Sequence, residues 1–161
     1  MHTRKILLIC VLLSALIGVF TLSSGALTQI TPGIPEFEFN IDDEKHGEAR
    51  YTFGTIDAWV YYNVEKGNLA KADIVHGNFW AGGSDAKAAE IRVKVWATNW
   101  LTGEKVYEES SSSVASSEEY AFTTLDVTCD IWHGVNRTYH EGTAVHQNGS
   151  RSVMWVNGYT D

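Results

Sequence analysis

Cysteine and proline are both scarce here, with two of each in 161 residues. Cys10 falls in the apolar start of the chain, so Cys129 stands alone once that start is removed. A lone cysteine excludes an internal disulfide framework, and the fold must then rest on its core. Cys129 shares parity with Leu125, Val127 and Ile131, which predicts a small buried hydrophobe. The other readings of an unpaired cysteine in a secreted chain are an intermolecular bridge or a reactive thiol. Both prolines, Pro32 and Pro35, lie in one short segment, Thr31 to Pro35, where fixed φ and missing donors favour an extended tether. Positive charge is also short: 12 Lys and Arg face 20 Asp and Glu. So acidic a surface repels nucleic acid and anionic membrane. Phosphate loops, Gly-x-Ser-x-Gly elbows, His-Glu-x-x-His and Cys-x-x-Cys are all absent, as is any long amphipathic helix or internal repeat. The chain is therefore expected to be no enzyme and to need no cofactor.

What is present begins with an export signal. Arg4 and Lys5 precede an apolar run from Ile6 to Phe20, and small residues Ser24 and Ala26 follow. Cleavage after Ala26 is predicted, which makes residues 1–26 a signal peptide and the product extracellular. The alternative is an uncleaved anchor, for which the run is shorter than the ~20 residues of a spanning helix. Loss of Arg4 and Lys5 takes the net charge from -8 to -10.

The centre of the remaining chain is Ile91-Arg-Val-Lys-Val95, which alternates aliphatic and cationic residues. Side chains alternate faces along a strand, so this is a strand with one buried side and one wet side. Tyr120 to Trp132 repeats the pattern, with Leu125, Val127, Cys129 and Ile131 opposite Thr124, Asp126, Thr128 and Asp130. Further strands are predicted over Tyr51–Glu65, Ala70–Trp80, Lys105–Glu108, Arg137–Gln147 and Arg151–Asn157. Lys66-Gly-Asn68, Leu101-Thr-Gly-Glu104, His133–Asn136 and Asn148-Gly149 supply the turns. Ala86–Glu90 reads as locally helical but too short to stand alone. Glu109–Glu119, with six serines and three acids, reads as a solvated loop. About seven strands at this spacing predict an all-β antiparallel sandwich over residues 51–161. Before it, residues 27–50 form an extended acidic arm with one short strand, Phe37, Phe39 and Ile41 alternating with polar residues.

The run Val93-x-Val95-x-x-x-Asn99-x-x-Thr102-Gly103-x-x-Val106 resembles strands and hairpins of immunoglobulin-like domains on prokaryotic cell surfaces. The likeness covers about thirty residues and implies an immunoglobulin-like sandwich. The antibody pattern is broken, because no second cysteine pairs with Cys129 and Val127 stands two residues before it, where that pattern has tyrosine.

Three constellations carry candidate functions. Of six tryptophans, some are expected to anchor the core, but Trp96 shares parity with Arg92 and Lys94, and Trp132 with Asp126 and Asp130. Outward indoles suit recognition of a protein or a carbohydrate at the cell surface, and they make binding or adhesion the leading function. Phe37, Phe39 and Ile41 form a strand on a tether that could be lent to a neighbouring copy, as in a strand-donated filament. His133, His140 and His146 could meet at one end of a sheet as a zinc or copper site, since His140 and His146 share parity. Finally, Asn136-Arg-Thr138 and Asn148-Gly-Ser150 are glycosylation sequons, usable where the host glycosylates exported proteins.

Overall fold

The computed structural model describes residues 28–29, 34–115 and 120–160. The signal segment lies outside them. Ten strands are present among the described residues: β1 (Thr28–Gln29), β2 (Glu36–Asn40), β3 (His46–Phe53), β4 (Ile56–Glu65), β5 (Ile74–Gly82), β6 (Ala86–Asn99), β7 (Lys105–Ala115), β8 (Tyr120–Thr128), β9 (His133–His146) and β10 (Arg151–Tyr159). One sheet has the order β1-β2-β10-β9-β6-β7 and the other β3-β4-β5-β8. The protein is all-β, and the two sheets stack as a sandwich.

β6 is a long inner strand of the larger sheet, paired with β9 on one side and with the edge strand β7 on the other. Ile91, Val93 and Val95 are buried, as their alternation predicts. They face the opposite sheet across a narrow gap. A Cβ on Gly77 of β5 would sit 2.7 Å from Val93 and 3.0 Å from both Ile91 and His140. Glycine at that position lets the two layers close. The rest of the core mixes aliphatic residues, among them Val60, Val64, Val75, Met154 and Val156, with the rings of Phe37, Phe39, Tyr62 and Phe79.

Several expectations are corrected by pairing. Ala86–Glu90 is the first part of β6, not a helical turn; Ala86 and Ala89 are buried, and Ala88 to Glu90 pair on both sides. The serine-rich run is not a loop up to Ala115. It is β7, hydrogen-bonded residue for residue to β6 from Ala88 to Thr98. Serine is a weak strand former, but partner and register outweigh propensity. The Ser112 and Thr123 hydroxyls, 2.9 Å apart, even bridge β7 to β8 of the opposite sheet. Tyr51–Glu65 is two strands joined at Gly54, whose φ of 63° suits a tight turn. β8 ends at Thr128, and His133 opens β9 rather than a turn.

The short acidic strand is built into the sandwich. β2 runs parallel to β10, with Phe37 opposite Val156 and Phe39 opposite Gly158. Phe39 stacks on Tyr62 with centroids 3.9 Å apart, and its ring occupies the space beside Gly158. The boundary drawn at residue 50 falls inside β3. The strand count rises from about seven to ten because Tyr51–Glu65 is two strands, β2 joins the sandwich and β1 pairs with β2.

Candidate functional site

None of the six tryptophans belongs to the buried core. The expectation that some would anchor it is corrected. β-Strand geometry explains where they went: each one that lies in a strand has parity opposite to that strand's buried residues. Trp59 lies between Ala58 and Val60, both buried; Trp80 between Phe79 and Ala81; Trp96 between Val95 and Ala97; Trp155 between Met154 and Val156. Each indole therefore projects from the outer face of its sheet.

Trp96 of β6 is 37% exposed and sits on the outer face of the larger sheet. Its register neighbours are Tyr107 of β7 and Arg137 of β9. The Trp96 and Tyr107 rings are 5.2 Å apart and inclined at 52°. Next along the face, Lys94 Nζ lies 5.7 Å from the centre of the Tyr139 ring, and that ring is 5.9 Å from Trp155. Glu38, Trp96, Arg137, Tyr139, Asn157 and Tyr159 line a shallow groove of about 400 Å³. Three aromatic rings thus border a depression with planar polar groups around it. Asn157 donates through Nδ2 to Glu36 Oε1 at 2.8 Å, while its buried Oδ1 has no hydrogen-bond partner. Burial and the neighbouring Glu141 carboxylate both push the Tyr139 phenol up from its ordinary value. It stays protonated at neutral pH and donates to Glu141 Oε2 at 3.3 Å.

Trp132 is also exposed, at 42%, but it is not in this groove. It lies in the β8–β9 turn rather than on a strand face, and its backbone N–H donates to Asp130 Oδ1 at 2.9 Å. Its ring is 6.4 Å from Trp100, and Trp100 N–H donates to the Trp132 carbonyl at 3.2 Å. Trp96 and Trp132 belong to different surfaces.

The three histidines are spread along β9 rather than gathered. His133 opens the strand, His146 closes it and His140 is in the middle. At about 3.3 Å per residue, His140 and His146 are roughly 20 Å apart, so shared parity is not proximity. His140 is fully buried against Tyr62, with Nε2 3.2 Å from the His76 carbonyl. Burial pushes its pKa down to about 4, against weaker opposing hydrogen bonds to His76 and Val156. His146 pairs with Asp85 at 2.6 Å and with Ser152 at 2.8 Å. Among the described residues, no three His, Cys, Asp or Glu side chains are grouped to hold a metal ion. The expected zinc or copper site at His133, His140 and His146 is not formed.

Phe37, Phe39 and Ile41 are buried in this chain's own core, beside β10. Cys129 is buried too, and burial, then Glu108 and Asp73, push its thiol up to about 12. The two sequons differ in setting. Asn136 is half-buried in β9 and donates through Nδ2 to Thr98 Oγ1 at 2.9 Å. Asn148 is exposed in the β9–β10 turn, where its Oδ1 accepts from Ser150 N–H at 2.8 Å. Only the second offers a free approach to its side chain.

Sequence reasoning missed the smaller sheet's outer face. Trp59 and Trp80 are opposite each other on β4 and β5, and Phe122 of β8 is opposite Trp80. The signal was in the sequence: Trp59 shares parity with Asp57 and Asn63, and Trp80 with His76 and Asn78. That is the same argument that singled out Trp96.

No family model matches the chain, and no curated protein matches it. Among solved structures it is similar to the X-ray structure of the Northeast Structural Genomics Consortium target SoR45. The two are 12% identical over 68% of this chain and 90% of that one, with a TM-score of 0.35, a likeness too loose to carry an argument.

Proposed function

We propose that this chain is an exported, non-catalytic binding module of immunoglobulin-like topology, acting in adhesion or recognition at the cell surface through the Trp96 groove. The topology has support in the connections. β5 crosses to the larger sheet as β6, β6 and β7 form a hairpin, β7 crosses back to β8 beside β5, and β9 and β10 complete the larger sheet. This order of connections parallels the B-C-C′-E-F-G path of an immunoglobulin-like sandwich and supports the reading. Export is supported by the first 26 residues of the sequence.

The observation that carries the binding reading is the exclusion of every tryptophan from the core. Tryptophan offers more apolar area than any other side chain, yet Trp96, Trp100 and Trp132 are exposed and Trp59, Trp80 and Trp155 only half-buried. Their placement makes sense where a ligand covers them. The groove's composition favours a carbohydrate over a protein. Sugar rings present a flat C–H face to an aromatic ring and hydroxyls around their rim. Trp96, Tyr139 and Tyr159 supply rings, while Glu38, Arg137 and Asn157 supply donors and acceptors for hydroxyls. The net charge of -10 after loss of Arg4 and Lys5 disfavours acidic polymers and supports uncharged glycans as the ligand class.

Native gels with embedded neutral polysaccharides (hydroxyethylcellulose, xylan, galactomannan and mixed-linkage glucan) test this. At least one should retard the wild type, and Trp96→Ala should bind it at least tenfold more weakly, about 1.4 kcal/mol, with an unchanged unfolding midpoint. Equal retardation of wild type and Trp96→Ala on every polymer that binds would refute the groove.

A further inference from the structure

We infer that Ser152, His146 and Asp85 form an acyl-acceptor site at one end of the sandwich, where the Ser152 hydroxyl is activated to take an acyl group from a carboxylic ester or thioester. This goes beyond the binding reading of the Trp96 groove and shares no residue with that groove. It is a single covalent attachment on a binding module and needs no turnover.

The three side chains meet because of how β9 turns into β10. His146 is the last residue of β9 and Ser152 the second of β10. The turn between them includes Gly149, whose φ of 85° suits a tight reversal, and His146 N–H donates to the Ser150 carbonyl at 2.9 Å. Side chains alternate faces along a strand, so His146 shares the inward row of His140 and Ala144, and Ser152 that of Met154 and Val156. Each is the last member of its row, at the rim of the sandwich, and the His146 side chain is 14% exposed. Asp85 comes from the loop in which the chain crosses from β5 to β6. Gln147 N–H pins that loop, donating to the Asp85 carbonyl at 2.9 Å and to its Oδ1 at 3.2 Å.

The hydrogen bonds run in one direction. Asp85 Oδ2 is 2.6 Å from His146 Nδ1, and His146 Nε2 is 2.8 Å from Ser152 Oγ. The bond to His146, helped by Gln147 N–H, holds the Asp85 carboxyl below its ordinary value, so at neutral pH it is an acceptor only. A carboxylate in that place takes the Nδ1 proton of the ring. Neutral imidazole then keeps its lone pair at Nε2, against the Ser152 hydroxyl. A nucleophile, a base within hydrogen-bond reach and a third group that orients the base are the parts of an activated hydroxyl on any fold. His76 is the contrast. Its ring lies between Asp126, at 2.7 Å, and Glu65, at 3.3 Å, with a carboxylate at each nitrogen and no hydroxyl to activate.

The backbone beside Ser152 adds donors. Trp155 N–H donates to the Pro35 carbonyl, and N–H groups alternate edges along a strand, so Arg151 and Val153 turn theirs to the same side. β2 pairs with β10 from Trp155 onwards, and no strand among the described residues pairs with that edge at Arg151 and Val153. These N–H groups flank Ser152 and are of the kind that stabilises the charge growing on a carbonyl oxygen under attack. In the step itself, Ser152 Oγ bonds to the acyl carbon and its proton passes to His146 Nε2. As the carbonyl re-forms, the bond from that carbon to the leaving oxygen or sulfur breaks, and the leaving atom takes the proton from His146. The products are acyl-Ser152 and a free alcohol or thiol.

The test treats the purified protein with p-nitrophenyl acetate, follows p-nitrophenolate release and maps the acetyl group by peptide mass spectrometry. Ser152 should be acetylated about a hundredfold faster than the exposed Ser111 and Ser113, with release levelling at one equivalent. Ser152→Ala should abolish that phase. His146→Gln should slow it about a hundredfold and Asp85→Asn at least about tenfold, both read beside thermal unfolding. Wild type supplies a measurement that needs no variant. Its rate of Ser152 acetylation should rise with pH in step with the loss of the His146 ring proton, followed by nuclear magnetic resonance. Ser152 reacting no faster than Ser111 and Ser113 overturns the inference. So does an unchanged rate in folded His146→Gln and Asp85→Asn, or a rate that ignores the His146 ionisation, because the three side chains would then only tie the loop to β9. Release that runs far past one equivalent and stops in Ser152→Ala overturns the single attachment, since the site would then turn over.

Discussion

A tryptophan left at the surface gives up more than any other side chain, and here parity alone decides it. Trp96 follows Val95 and precedes Ala97, so burying its neighbours turns it out. That made Trp96 legible from the sequence, and the same reasoning would have reached Trp59 and Trp80. Trp132 was misplaced because β8 stops at Thr128, before the parity that was extended to it. His140 shows the limit of parity in a different way. Its inward direction was not readable, because Tyr139 and Val145, the apolar anchors expected for that strand, have the opposite parity and are only half-buried, whereas His140 is fully buried. Fully buried, it is held neutral, with a pKa near 4 against an ordinary value of about 6.5. The unfolded chain therefore binds the extra proton more readily than the folded one. Its contribution is fully present above pH 6.5 and is lost as the pH falls towards 4. At the lower end the loss is on the order of 3 kcal/mol. Urea midpoints measured from pH 7 to pH 4 should fall, and His140→Phe should flatten that slope where its ring is accommodated beside Tyr62. An equal slope in wild type and variant, with the variant folded, would assign the acid sensitivity elsewhere.

At the scale of the strand, the regular alternation of β6 was enough to find it, and it is an inner strand of the larger sheet. Strands with poor intrinsic preference were harder. Ala86–Glu90 and the serines of β7 have no alternating apolar pattern, and they are strands because β6, β7 and β9 pair along their length. Such pairing is a non-local property that a local window does not contain. β2 is the informative intermediate case. Its alternation was plain, but its partner, the last strand of the chain, was not, because parallel pairing of the two ends leaves no turn signal. Phe39 stacks on Tyr62 and fills the space beside Gly158, so Phe39→Ala should cost about 3–5 kcal/mol and shift the urea midpoint accordingly. A loss under about 1 kcal/mol would mean that β2 is only loosely docked. The same docking bears on strand lending between copies. Residues that already complete their own core have to leave it before a neighbour can receive them, so the exported form is expected to be monomeric by size exclusion with light scattering.

As a whole, the molecule is a thin apolar core between two decorated faces. The all-β, two-layer character was legible because it depends on period-two patterning and turn residues. The pairing of faces with functions was not, since a groove such as that of Glu38, Arg137 and Asn157 gathers residues from three strands distant in sequence. The histidine site failed for the same reason, with residues of matching parity placed at different heights on one strand. The claim on which the account turns is that the indoles outside the core meet a neutral glycan. The most direct measurement is a titration followed by the six indole Nε1–H signals in a two-dimensional ¹⁵N–¹H spectrum. Short oligosaccharides cut from whichever polymer retards the protein should move the Trp96 signal, while backbone amides of Ile91 and Val93 stay in place. Saturating oligosaccharide that leaves the Trp96 signal unmoved would contradict the account.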